Sequence, residues 1–405
     1  MKPQTWIQLA VMMFLNYFVW GAWYVTVGTF MGTPETDGGL GFSGLQIGAV
    51  YATFSIAAII SPFFVGMIAD RFFASERVLG VLHLVGAGLM YVATLQTDYS
   101  SFYLLILLYN LTFMPTIALT NSLAFAQMEN TEKQFPAIRM LGTIGFIVVG
   151  WIVGFMKIEA TALPQQIAAG MALVLGVYSF TLPHTPPKAK GQKTSVREIL
   201  GLDALSLMKD RRFSTVIIAS ILICIPLAFY YSFANPFLNE LGMENTAAKM
   251  TMGQMSEVLF LLVMPFFFAR LGVRWMLTIG MAAWALRYLL FAYGDLGGSI
   301  WMLYGGIILH GICYDFFFVT GQIFVDKEAP AHLRSSAQGL ITLATYGLGM
   351  FIGSYASGFV VDTYAISGTE HNWTNIWMIP AVFAVVVLVG FMAAFRNRGN
   401  AAAPA

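Results

Sequence analysis

The chain has 405 residues, of which 58% are hydrophobic and 10% charged, with a formal net charge of +1 and a mean hydropathy of +0.73. Soluble globular chains carry about 25% charged residues, so an ordinary soluble enzyme is excluded and a polytopic membrane protein is described. No basic domain suited to nucleic acid is present, and the two cysteines, Cys224 and Cys313, lie in apolar segments, which excludes a disulfide framework or a cysteine-based metal site.

A membrane-spanning helix takes about 20 residues. Taken in order, apolar segments of that length fall at 5–30, 44–69, 77–96, 100–127, 135–156 and 162–182. The first is too long for a signal-peptide core, and no compact small-residue cleavage site follows it, so it is read as a span. Residues 183–212 contain Pro183, Pro186 and Pro187 with seven Lys and Arg, and no window there is apolar enough to cross. Six more segments follow at 213–238, 250–270, 274–294, 299–325, 336–361 and 374–395. The expected organisation is an N-terminal six-helix bundle over 1–182, a cytoplasmic linker over 183–212, a C-terminal six-helix bundle over 213–396 and a flexible tail over 397–405.

Cytoplasmic loops collect Lys and Arg. With the N-terminus inside, about 17 of the 21 Lys and Arg fall on the cytoplasmic side. Lys157 and Lys249 fall outside, and Arg139 and Arg287 fall within segments. The outer loops carry acids instead, among them Glu35, Asp37, Asp98, Glu240, Asp295 and Glu370. Both termini are therefore expected in the cytoplasm of a multi-pass protein, with the bacterial inner membrane as its location. Residues 62–64 and 265–267 both read PFF, each ahead of a short basic turn. Two six-helix halves joined by a cytoplasmic linker suit a transporter that rocks about a midplane site.

Charges inside spans are costly, by roughly 3 kcal/mol on insertion scales, and usually face a cavity or a partner. Asp315, in WMLYGGIILHGICYDFFFVTGQIFV (301–325), is read as functional, although a carboxylate locking two helices together also fits. Arg139, Thr143 and Phe146 are spaced by four and three residues and share one helical face. That face can contact a polar, planar solute, the arginine donating or stacking, the threonine orienting and the phenylalanine offering a ring; snorkelling of Arg139 to the interface is the alternative. Gln254 and Glu257 also point the same way, and a carboxyl in a low-dielectric site can take up and release a proton during transport. His310 and Tyr314 share a face, while Asp315 lies about 100° around and could still reach a broad cavity. Arg287 is read as structural, pairing with a deep carboxylate or reaching outward to Asp295. Trp20 and Trp23 could line a cavity or belong to the interfacial aromatic belt, and they are assigned to the belt.

The loop GMIADRFFASER (Gly66–Arg77) resembles the Gly-x-x-x-Asp-Arg signature of the major facilitator superfamily, with Phe73 where a glycine is usual. That resemblance implies gating roles for Asp70 and Arg71. The stretches FPAIRMLGTIGF (Phe135–Phe146), TMGQMSEVLFL (Thr251–Leu261), WALRYLLFAYGD (284–295) and YDFFFVTGQIFVDKE (Tyr314–Glu328), with LGLDAL and RSSAQG, together resemble the nucleoside:proton symporter family of that superfamily over about residues 10–395. The resemblance implies a fold of twelve transmembrane helices and a nucleoside site lined by Arg139, Thr143, Phe146, Gln254, Glu257, Tyr314 and Asp315. It places amides in the seventh helix where this chain has Ala228 and Tyr231, and a tyrosine where it has His310; Tyr231 and His310 are carried forward as substrate-binding positions.

The expected function is proton-coupled nucleoside import by alternating access, with Asp315 or Glu257 carrying the coupled proton. Protons are the coupling ion, no cofactor or metal is expected, and the protein is expected to be monomeric in the lipid bilayer. A sugar or glycoside carried by the same fold is the first rival. An intramembrane enzyme is disfavoured by the lack of a His-Glu-x-x-His or Gly-x-Ser-x-Gly motif.

Overall fold

In a bilayer every backbone N–H and C=O needs a partner within the protein, which leaves a long apolar run little choice but the helix. A computed structural model describes residues 2–71, 73–187, 202–367 and 369–395, with the side chains of 62–71, 131–133 and 335 outside the description. Asp70 and Arg71 fall in that excluded group, so the gating assignment lies outside the described residues.

The N-terminal half comprises α1 (Pro3–Trp23, continued by Val27–Gly32), α2 (Gly44–Arg71), α3 (Ser75–Ala93), α4 (Tyr99–Ala126), α5 (Thr131–Phe155) and α6 (Leu163–Ser179). The C-terminal half begins with α7 (Arg211–Glu240) and the unbroken run Thr246–Tyr293. That run holds two crossings, α8 (246–271) and α9 (273–293), parted at Gly272, whose φ of +66° suits a residue without Cβ. The half closes with α10 (Ile300–Glu328), α11 (Ser336–Thr363) and α12 (Trp373–Ala394). Among the described residues twelve crossings result, matching the expected segments closely. The shortest, α6, has 17 residues and reaches about 26 Å, near the thickness of a thin bilayer core.

Side-chain caps mark several helix starts. Asp98 accepts from the Ser101 N–H, Asp210 from the Arg212 and Phe213 N–H groups, and Asn372 from the Asn375 N–H. The Ser101 bond also holds the Asp98 carboxyl below its ordinary range. Between α6 and α7, a 3-10 turn at Leu202–Lys209 is the described part of the linker beyond Pro187.

The two halves meet through α5 on α8, α2 on α11 and the Val27–Gly32 continuation of α1 on α7. Glycines allow these backbones to approach: a Cβ on Gly48 would fall 2.1 Å from the Ser354 carbonyl oxygen, and one on Gly154 would fall 2.5 Å from the Ala248 nitrogen. Gly28 sits against the Ser232 carbonyl, which lacks its usual helical donor because residue 236 is proline.

These contacts lie toward the end of the bundle away from the termini, called here the distal end. There two carboxylates each cap a helix of the opposite half. Glu159, between α5 and α6, accepts from the Ala247 N–H at the start of α8 at 2.8 Å and from Asn235 and Asn239 of α7 at 2.8 and 3.0 Å. Asp362, near the end of α11, accepts from the Gly44 and Leu45 N–H groups at the start of α2 at 2.6 and 2.8 Å. Negative charge at a helix N-terminus satisfies unpaired N–H groups and complements the helix dipole. The Thr29 hydroxyl adds a bond to Asn235 at 2.5 Å and the Trp151 indole one to Thr251 at 3.1 Å.

Candidate functional site

Below this distal seal the halves separate around a central cavity. Its N-terminal wall carries Arg139, Thr143 and Phe146 of α5, and its C-terminal wall carries Tyr231 of α7, Gln254 and Glu257 of α8, and His310 and Tyr314 of α10. The two helical faces read from sequence thus oppose one another across one space, and Tyr231 joins them.

Asp315 departs from expectation: it is absent from the lining and is 1% exposed, with Oδ2 lacking a hydrogen-bond partner among the described residues. The angle explains this. One residue beyond Tyr314, a side chain lies about 100° around the helix, and the tightly packed cavity leaves that direction inside the C-terminal half. Ala228 is also off the wall, fully buried where α7 meets Gly353 of α11.

Two hydroxyls shape the wall by interrupting helices. In α1 the Tyr51 hydroxyl donates to the Tyr24 carbonyl at 2.8 Å and accepts from the Gly28 N–H at 3.3 Å, standing where the direct backbone bond from Gly28 to Tyr24 would run. The turn this creates brings Tyr24, Val25 and Thr26 to the cavity. In α10 the Ser256 hydroxyl of α8 donates to the Ile308 carbonyl at 2.7 Å and accepts from the Gly311 N–H at 3.0 Å. The helix breaks at Leu309 and resumes at His310, then widens into a π turn over Asp315–Val319. A second π turn, Leu343–Gly349, places the Tyr346 hydroxyl 2.9 Å from that of Tyr314. Such irregular backbone is tolerated at membrane depth where it is buried in protein or lines a cavity.

Arg139 does not snorkel away from the cavity. Its guanidinium carbon lies 4.1 Å from the Tyr17 ring centroid, and Nη1 lies 3.4 Å from the Thr143 hydroxyl, a long and weak bond. Trp20 also corrects the aromatic-belt reading, because it lines the cavity, stacks on Phe54 at 5.8 Å and meets Phe146 edge to face at 6.1 Å. Trp23 is 2% exposed and packs edge to face on Tyr109. Tyr17 and Tyr24 are lining residues that sequence reasoning missed; their spacing of three and four residues from Trp20 was the available signal.

Arg287 neither meets a deep carboxylate nor reaches Asp295. It is 0% exposed, with its guanidinium carbon 3.3 Å from the Tyr230 ring centroid and Nη1 3.2 Å from His310 Nδ1. Among the described residues no group of three or more His, Cys, Asp or Glu is placed to hold a metal ion.

Two membrane-embedded helical halves closing over a shared cavity that holds a few charged and polar side chains define a secondary solute transporter of the major facilitator fold. A crystal structure of a point mutant of the nucleoside transporter NupG superposes with a TM-score of 0.91 at 33% identity, over 97% of this chain and 100% of that one. The family model described as Nucleoside H+ symporter matches residues 3–400, and the chain belongs to that family. Its relatives include the putative nucleoside transporter YegT of Escherichia coli K12, 44% identical over 98% of this chain and 95% of that protein. The xanthosine permease of the same organism is 36% identical over 96% of each.

Proposed function

We propose that the protein imports nucleosides together with protons by alternating access around the central cavity. The observation that carries this reading is the placement of Arg139, Thr143 and Phe146 opposite Gln254 and Glu257 in one shared cavity. Phe146 and Trp20 supply ring faces for a base, while Gln254 and Glu257 supply acceptors and an amide donor for ribose hydroxyls and base edges. In this scheme Glu257, the carboxylate on the wall, exchanges the coupled proton, and Asp315 lies behind the wall as a second proton-binding group.

The bundles over 1–182 and 213–396 act as the rocking units, joined by the linker over 183–212. Termini and linker face the cytoplasm of a bacterial inner membrane, in keeping with the concentration of Lys and Arg on that side. The distal seal then closes the outer end, so the cavity communicates with the cytoplasm, and Asp70 and Arg71 act in the opposing gate. A monomer suffices, because both walls come from one chain.

The test is uptake of labelled uridine and adenosine into proteoliposomes with and without an inward proton gradient. Accumulation stimulated by the gradient is expected. Failure of both nucleosides with folded protein, together with uptake of a sugar or glycoside, would replace the cargo and keep the fold.

A further inference from the structure

Arg287 and His310 form a pair that the transport scheme above leaves without a task. Both are buried, at 0% and 3% exposure, and their contact runs from Arg287 Nη1 to His310 Nδ1 at 3.2 Å. A guanidinium carries only donors and keeps its charge. Nδ1 must therefore accept, which means that it holds no proton. A neutral imidazole has one N–H, and here it is left on Nε2.

That N–H points to the working side of the ring. His310 lines the cavity, and its Nε2 lies 3.8 Å from Glu257 Oε2, which is beyond hydrogen-bond length. The donor is thus near the carboxylate without being consumed by it. The ring has little freedom to turn. It stacks between Tyr230 at 5.6 Å and Tyr314 at 5.9 Å, with interplanar angles of 28° and 29°. A Cβ on Gly253 would fall 3.1 Å from His310 Cβ, so the side chain is also held at its root. Arg287 is fixed in turn by lying 3.3 Å over the Tyr230 ring, which makes Tyr230 a common platform for cation and imidazole.

The geometry points to Arg287 as a positioning residue that locks His310 in one tautomer, with Nε2–H presented to the cavity as a fixed donor for an acceptor atom of the solute. Resting on the nucleoside reading, that atom is a nucleobase carbonyl oxygen or ring nitrogen, or a ribose oxygen. While the arginine holds Nδ1, the imidazole has no free lone pair and cannot shuttle a proton. His310 therefore selects and Glu257 carries, a division of labour between two side chains 3.8 Å apart.

The test is a double-mutant cycle read by equilibrium binding of uridine to the purified full-length protein. In His310→Gln the amide nitrogen reaches toward the place of Nε2 and donates without help from Arg287. Arg287→Met is expected to weaken binding about tenfold in the native background, and less than about twofold when His310→Gln is already present. Equal losses in both backgrounds would overturn the proposal and make Arg287 a packing residue only. A second measurement needs neither ligand nor an altered Arg287: nitrogen-15 NMR of histidine-labelled protein, with His310→Gln identifying the signals. One bare nitrogen at Nδ1 and one protonated at Nε2 are expected; a bare Nε2, or protons on both, overturns the proposal. Absence of nucleoside binding by the unaltered protein would instead remove the nucleoside reading, and the NMR result would still decide the tautomer.

Discussion

Arg139 and Arg287 both lie over a tyrosine inside membrane-spanning helices, at 4.1 Å over Tyr17 and 3.3 Å over Tyr230, yet only Arg139 lines the cavity. The N-terminal wall keeps its cation available, held by one long bond to Thr143. The C-terminal wall buries its cation completely and presents an imidazole in front of it. Among the described residues, neither cation takes a carboxylate as its hydrogen-bond partner. A desolvated cation over an aromatic face gains about 2 kcal/mol or more, enough to offset much of what insertion scales assign to a charge at mid-bilayer. A carboxylate pressed against either arginine would neutralise it. The aromatic platform leaves the charge intact for the site.

The sharpest way to break this contrast is to remove the titrating group that stands between the two walls. Glu257→Gln keeps the shape and is expected to abolish gradient-driven accumulation while nucleoside exchange in the absence of a gradient survives; counterflow in proteoliposomes separates the two. Retained accumulation would move the coupled proton off the wall. Next in size, Arg139→Met takes the cation from the N-terminal wall and should weaken nucleoside binding by about 2 kcal/mol, the range for a hydrogen bond to a charged group. An unchanged Kd would mean that Arg139 serves only its tyrosine. Phe146→Ala should cost about 1 kcal/mol through a lost aromatic contact, and direct binding measurements should show the loss falling on the base, with ribose alone competing as before. The smallest effect is expected for Asp315→Asn, which alters a residue behind the wall: binding should stay within about twofold, as for a site that touches no ligand. A larger loss would place Asp315 in contact with the solute.

Helical periodicity made the charged and polar part of the cavity wall legible. Arg139, Thr143 and Phe146 share a face by spacing alone, as do Gln254 with Glu257 and His310 with Tyr314, and each set reaches the same space. The spans were legible for a simpler reason, since apolar length is what a bilayer requires. What escaped depended on contacts distant in sequence. The turn at Tyr24 exists because Tyr51 inserts a hydroxyl from α2, and the break at Leu309 because Ser256 does so from α8. Neither has a local signal such as proline at the break. Trp20 was assigned to the lipid interface because a tryptophan in a span satisfies that pattern equally well, and only its stacking on Phe54 distinguishes the two. Arg287 found an acceptor 23 residues away on another helix, which no periodicity within α9 could indicate.

The exchange of caps at the distal end also sets a timescale. Glu159 and Asp362 satisfy N–H groups at the starts of helices in the opposite half, so opening exposes two carboxylates and two helix ends together. Water replaces every one of those bonds. The seal therefore behaves as a clasp whose strength is the small difference between protein and solvent partners, and whose release is concerted because both carboxylates tie one half to a helix start of the other. A fastening of this kind keeps the closed form populated and still lets it be left on the microsecond-to-millisecond scale of domain motions. Cross-linked or purely apolar closure would hold longer, and a carrier that must turn over with each solute is better served by a bond that water can finish.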